Sequence, residues 1–233
     1  LDDRWLYPDA PTFGSPNSYS INTDIVINEI MYNPRPLPAT RPSSPDLLVD
    51  WNHLWRYNES GNDLGGQWKD QPHIADGVTW FSGPGPLGAG NSSLSHPIST
   101  ILSPLGSRDP RTVTFYFETD FEISEQQKKD TTRLELTHQI DDGAIFYLNG
   151  TEVHRYQVDE GPVTSSSTAN TTVEDAETVT LILPSFSLSA LREGSNRLSV
   201  EVHQDSADSS DIVMGLQLTA SQEGLPVRRS TEQ

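Results

Sequence analysis

The sequence predicts an all-β protein, built as a two-sheet sandwich or jelly roll. Short runs rich in β-branched and aromatic residues recur along its 233 residues, separated by Gly, Pro and Asn turns. Several of these runs alternate apolar and polar residues with the period of two that a half-buried strand requires. Helical signals are scarce: Ser124 to Lys129 and Ser187 to Arg192 each suffice for little more than one turn.

Taken in order, residues 1–23 are rich in Pro, Ser, Asn and Asp, lack periodicity and read as an extended lead-in. Asp24 to Tyr32 alternates well enough for one strand, which Asn33-Pro34 ends. Pro34, Pro36, Pro38, Pro42 and Pro45 suit a polyproline-like linker. The expected organisation is therefore an N-terminal segment (1–46) carrying one strand, a sandwich domain (47–222) and a C-terminal tail (223–233). Within the domain, strands are expected at 51–57, 78–81, 112–122, 131–138, 143–148, 151–157, 177–183, 197–204 and 212–220. The run Thr112 to Thr119 is dense in β-branched and aromatic residues. Arg197 to His203 alternates strictly, with apolar residues facing inward. Between Leu148 and Thr151, Asn149-Gly150 is a strong hairpin signal, because both residues tolerate the positive φ of a type I′ turn.

Composition excludes several classes. There is no Cys, so disulfides and zinc-thiolate sites are absent. With 15 Lys and Arg against 33 Asp and Glu, the formal charge is −18, which argues against a nucleic-acid partner. No apolar run reaches the ~20 residues needed to span a bilayer, so membrane insertion is not expected. The chain opens on Leu1 in mid-motif and reads as a piece of something longer. It contains neither a P-loop nor a Gly-x-Ser-x-Gly elbow nor His-Glu-x-x-His, and no catalytic role is expected.

The run Ile140-Asp141-Asp142-Gly143-Ala144-Ile145-Phe146-Tyr147-Leu148-Asn149-Gly150-Thr151-Glu152-Val153 resembles the "DDG…VYLNG…EV" hairpin of galactose-binding-like jelly-roll domains. Further matches follow in family order: Trp51, Trp55 and Trp68, Asp76 to Trp80 with Gly83 to Gly88, Phe115-Tyr116-Phe117, Gly194 to Gln204, and the Ser209-Ser210-Asp211 loop. The resemblance spans most of 51–220. It implies a non-catalytic carbohydrate-binding module, extracellular or at the cell surface, attached to other domains of the same polypeptide. A second resemblance, of Ile25 to Pro34 and of Tyr7 to Asn17, is to bacterial lamin-tail domains of planctomycete-type secreted proteins. Only one strand of such a domain has its counterpart here, since the chain passes into the Pro-rich linker. That strand could pair within the chain or add to a neighbouring one.

The candidate site residues come from loops and strand ends. Trp51, Trp55, Trp68 and Trp80 are candidates for stacking on a sugar or for core packing, and Trp80, beside a Gly-rich loop, is chosen as the ligand contact. Asp141 and Asp142, at the hairpin entrance, can accept hydrogen bonds from sugar hydroxyls, hold Ca2+ or cap the turn. As neighbours on a strand they point to opposite faces and make a poor catalytic dyad. His203 ends an alternating strand and is either a ligand contact or an edge packing residue. Asp205, Asp208 and Asp211 are spaced three apart in a polar loop. Asp205 and Asp208 are taken as ligands of a structural Ca2+, and Asp211 as a glycan contact, against the alternative of a solvated loop. Asn62-Asp63-Leu64-Gly65-Gly66 is a second oxygen-rich loop. The expected function is thus glycan or polysaccharide binding. The alternative is a structural or adhesion spacer without a small ligand.

Overall fold

A computed structural model describes residues 14, 16, 45–90, 93–103 and 112–222. The chain divides into two compact units, 1–39 and 40–233, and the architecture below is that of the second. The expected strand at 24–32, with its lamin-tail resemblance, and the tail at 223–233 lie outside the described residues.

Twelve strands are described: β1 (Asp46–Val49), β2 (Leu54–Asn58), β3 (Phe81–Pro84), β4 (Leu87–Ala89), β5 (Thr100–Ile101), β6 (Thr114–Ile123), β7 (Arg133–Asp141), β8 (Gly143–Leu148), β9 (Thr151–Tyr156), β10 (Thr178–Ile182), β11 (Gly194–His203) and β12 (Ile212–Ser221). Two short helices, α1 (Glu125–Asp130) and α2 (Ser187–Ala190), join them. The first sheet runs β10-β7-β12-β4-β5, with β1 also paired to β12; the second runs β3-β2-β6-β11-β8-β9. Among the described strands only β4–β5 is parallel. The protein is an all-β sandwich, as the sequence predicts.

Phe115 and Phe117 of β6, Phe146 of β8, Val200 and Val202 of β11, Leu134 and Leu136 of β7 and Met214 of β12 fill the space between the sheets. The opposite face of the second sheet is covered in part. Trp68, Trp80, Tyr116, Ile145, Tyr147 and Val158 form a second buried cluster there. A strand covered on both faces loses its alternation, so every residue of β8 is buried and its sequence is one continuous apolar run.

Local chemistry sets several boundaries. Ser124 caps α1 in a reciprocal box with Gln127, so the helix begins where the sequence places it. Asn149 (φ 50°) and Gly150 (φ 80°) make the expected turn. The strand expected at 78–81 begins instead at Phe81, because Asp76 Oδ1 accepts the backbone N–H groups of Val78, Thr79 and Trp80 and holds that segment as a turn. The strand expected at 51–57 starts at Leu54, since His53 N–H donates to Asp50 C=O and closes a turn across Trp51 and Asn52. The short β1, β4 and β5 were not expected. In β4 the glycine is a matter of close approach: a Cβ on Gly88 would lie 2.4 Å from the Ile212 carbonyl oxygen.

Candidate functional site

The hairpin entrance is a corner between the sheets. Asp141 ends β7 in the first sheet and Gly143 begins β8 in the second, so Asp142 alone makes the crossing. A Cβ on Gly143 would lie 2.7 Å from the Gln157 carbonyl oxygen, which leaves room for glycine only. Asp142 Oδ1 accepts from Val173 N–H at 2.6 Å and Oδ2 from Asp205 N–H at 2.8 Å. One buried carboxylate thereby ties the 157–177 loop and the 204–211 loop to the corner. Its oxygens are occupied by the protein's own backbone, which corrects the expectation that Asp142 faces a ligand.

Asp141 is fully buried, and among the described residues neither of its carboxylate oxygens has a hydrogen-bond partner. Burial, and then the charge of Asp142 beside it, push its carboxyl up to about 8. Asp211 is half-buried and also shifted up, by burial and by Asp142. Asp205 receives the Thr172 hydroxyl, whereas Asp208 is exposed. The structure thus gathers Asp141, Asp142, Asp205 and Asp211 at one end of the sandwich and leaves Asp208 outside. Among the described residues no three His, Asp or Glu side chains are placed to hold a metal ion, and of the two residues expected to bind Ca2+ only Asp205 lies in this cluster.

Two other expected contacts are packing residues. Trp80 is buried and stacks on His73, with ring centroids 4.1 Å apart and planes 14° apart. His73 Nδ1 in turn lies 2.7 Å from the Glu118 carboxylate, which also receives the His73 N–H and Arg56 Nε. Trp80 therefore has no free face to offer a sugar. His203 is fully buried, and its Nδ1 is within hydrogen-bond distance of Thr114 Oγ1 (2.9 Å) and the Ser167 carbonyl oxygen (2.8 Å).

The open site lies elsewhere, on the outer face of the second sheet. A pocket of about 310 Å³ is bounded by the 63–69 loop on one side and residues 161–165 on the other. Its floor is the outward-facing set Tyr116 (β6), Tyr147 (β8), Glu152 and Arg155 (β9) and Glu201 (β11). Tyr116, Tyr147, Glu152 and Glu201 point outward because their neighbours Phe115, Phe117, Phe146, Val153, Val200 and Val202 point into the core, and the register shift in β9 brings Arg155 to the same side. Ser199 Oγ donates to the Lys69 carbonyl at 3.0 Å and docks the Trp68–Asp70 turn against β11. Trp68 meets the Tyr116 ring edge-on at 4.8 Å.

The electrostatics are specific. Glu201 is 5 % exposed, and its Oε1 accepts the Tyr147 hydroxyl at 2.5 Å. Burial and this carboxylate raise the Tyr147 phenol far above its usual range, and burial with Glu201 and Asp63 raises Tyr116 likewise. Both phenols stay protonated donors at any ordinary pH. Arg155 grips Glu152 with two prongs (2.9 and 2.8 Å) and donates to the carbonyls of Asp159 and Gly161, fixing the loop that forms the rim. Lys69 Nζ sits 4.2 Å above the Tyr147 ring. Sequence reasoning singled out the Asp63 loop but missed Glu201. The available signal was a carboxylate on an alternating strand between two core valines.

Fold and site together define an all-β sandwich bearing a polar, aromatic-floored pocket on one sheet face. No family model matches the chain, and no curated protein matches it either. Solved structures do. A β-glucuronidase from an uncultured Clostridium sp. is 15 % identical at a TM-score of 0.45, covering 78 % of this chain and 30 % of that one. A Ruminococcus gnavus β-glucuronidase is 13 % identical at a TM-score of 0.44, covering 77 % and 29 %. The same enzyme in complex with D-glucaro 1,5-lactone is 12 % identical at 0.45, covering 79 % and 30 %. The chain thus spans about a third of the length of these proteins, and at these values the likeness goes no further than β-sandwich architecture. Among the described residues no helix is long and apolar enough to cross a membrane.

Proposed function

We propose that this chain is a non-catalytic carbohydrate-binding module of a larger extracellular or cell-surface protein, and that it takes a glycan in the pocket over the second sheet. The observation that carries the reading is the pocket's lining. A buried carboxylate, two phenols, a lysine and an arginine-fixed rim converge on a space of about 310 Å³, the size and chemistry of a site for a small polyhydroxyl unit. Tyr147 and Glu201 are locked to one another before any ligand arrives, so little ordering cost falls on binding. The reading uses no metal ion.

The competing reading is a structural or adhesion spacer with no small ligand. It draws support from the tryptophans, since Trp55, Trp68 and Trp80 are all buried and serve packing. A glycan array, run on the full chain with Ca2+ and again with chelator, separates the two. Binding that is independent of Ca2+ and abolished by Ser165→Trp, which fills the pocket from its rim, supports the module. A clean negative from a cooperatively folded protein favours the spacer.

A further inference from the structure

We propose that the pocket selects amine-bearing sugars over uronic acids, with Glu201 as the residue that decides. The inference rests on the pocket being a glycan site and adds the ligand class. Glu201 is almost wholly buried yet lines an open pocket. Its Oε1 is taken by Tyr147, whereas among the described residues its Oε2 accepts no hydrogen bond, His203 Nε2 lying 3.7 Å away. A carboxylate oxygen held in this state calls for a donor, and an ammonium or hydroxyl group entering the pocket supplies one.

The charge balance points the same way. Asp63, Glu152 and Glu201 line the pocket against Lys69 and Arg155, three acids to two bases. Arg155 is spent on Glu152, and the Lys69 ammonium lies over the Tyr147 ring. A uronate would bring a further negative charge beside Glu201 and Asp63, in a chain whose formal charge is already −18. An amino sugar would gain an ion pair with the Glu201 oxygen that is free.

The test uses the full chain and three probes: a β-1,4-glucosamine oligomer, its N-acetylated counterpart and an oligogalacturonate, with affinities read by calorimetry at two salt concentrations. The glucosamine oligomer should bind tightest and lose affinity as salt rises. Glu201→Gln, which keeps the side-chain shape and can still accept from Tyr147, should weaken glucosamine binding by about tenfold while changing the N-acetylated probe little. Asp63→Asn, on the exposed loop, should give a smaller loss of the same kind. Oligogalacturonate binding as tightly as glucosamine, or a Glu201→Gln protein with unchanged preference, would overturn the inference while leaving a glycan site intact. If none of the three probes binds, the glycan reading of the pocket fails and the inference fails with it.

Discussion

The Tyr147 hydroxyl donates to Glu201 Oε1 at 2.5 Å, joining two neighbouring strands of the second sheet on the face away from the core. This bond is the hinge of the pocket's chemistry. Tyr147→Phe keeps the ring that packs against Trp68 but leaves Glu201 buried without its donor. The variant should lose about 1–3 kcal/mol of stability, the cost of an unsatisfied buried acceptor. Urea unfolding checks this. A loss below about 0.5 kcal/mol would mean that water replaces the hydroxyl freely.

Asp142 is a structural tie. Asp142→Ala should strand the N–H groups of Val173 and Asp205 and free both loops from the corner. Hydrogen exchange at those two amides should accelerate strongly, with a stability loss of about 2–4 kcal/mol. Protected amides in the variant would show that the loops are held by other means.

Trp80 gives a test of packing against recognition. Trp80→Ala removes a buried indole stacked on His73 and should cost about 3–5 kcal/mol. Trp80→Phe should recover much of that and bind any ligand of the pocket as well as the parent. A Trp80→Phe protein that folds normally but loses glycan binding would return Trp80 to the site.

Asp141 and His138 impose opposite pH dependences. Asp141 is pushed up to about 8, by burial first, against about 3.9 in an unfolded chain. Between those values the folded protein keeps a proton that the unfolded chain releases, so this group costs stability as pH rises. His138, fully buried with both ring nitrogens unpartnered among the described residues, is lowered to about 3 by burial and by His154. Below about 6.5 the unfolded chain takes up a proton that the folded protein refuses, so stability falls as pH drops toward 3. The two slopes oppose one another from about 4 to 6.5, where stability should be nearly flat. Asp141→Asn should raise stability at pH 8 and remove the decline above pH 6.5. His138→Phe should flatten the acid limb instead. Melting temperatures measured across this range distinguish the two, and an unchanged profile in both variants would refute the assignment.

The strands were legible wherever pattern and local chemistry agree. Asn149-Gly150 turns the hairpin by backbone preference alone, and Ser124 with Gln127 marks a helix start by capping alone. Legibility failed where pairing partners, not the segment itself, decide the outcome. β4 and β5 are short runs in a Gly- and Pro-rich stretch that become strands only because β12 lies alongside β4. The candidate site was less legible still. Asp141 with Asp142 and the Asp205–Asp211 loop were singled out separately, not as one corner, and the Asp142 oxygens turn out to serve loop closure, since a carboxylate's role depends on which N–H groups reach it.

The sequence by itself determined the all-β class, the positions of most strands, the acidic surface and the absence of thiol chemistry, because each follows from residue type and spacing of two. Only the tertiary structure decided that the chain crosses between sheets at Asp142, and that the middle of the second sheet is covered on both faces. It also decided that Glu201 rather than Trp80 or His203 faces the open pocket. Strand parity tells which residues share a face, but which face stays open depends on where distant loops, here 63–69 and 161–165, come to rest.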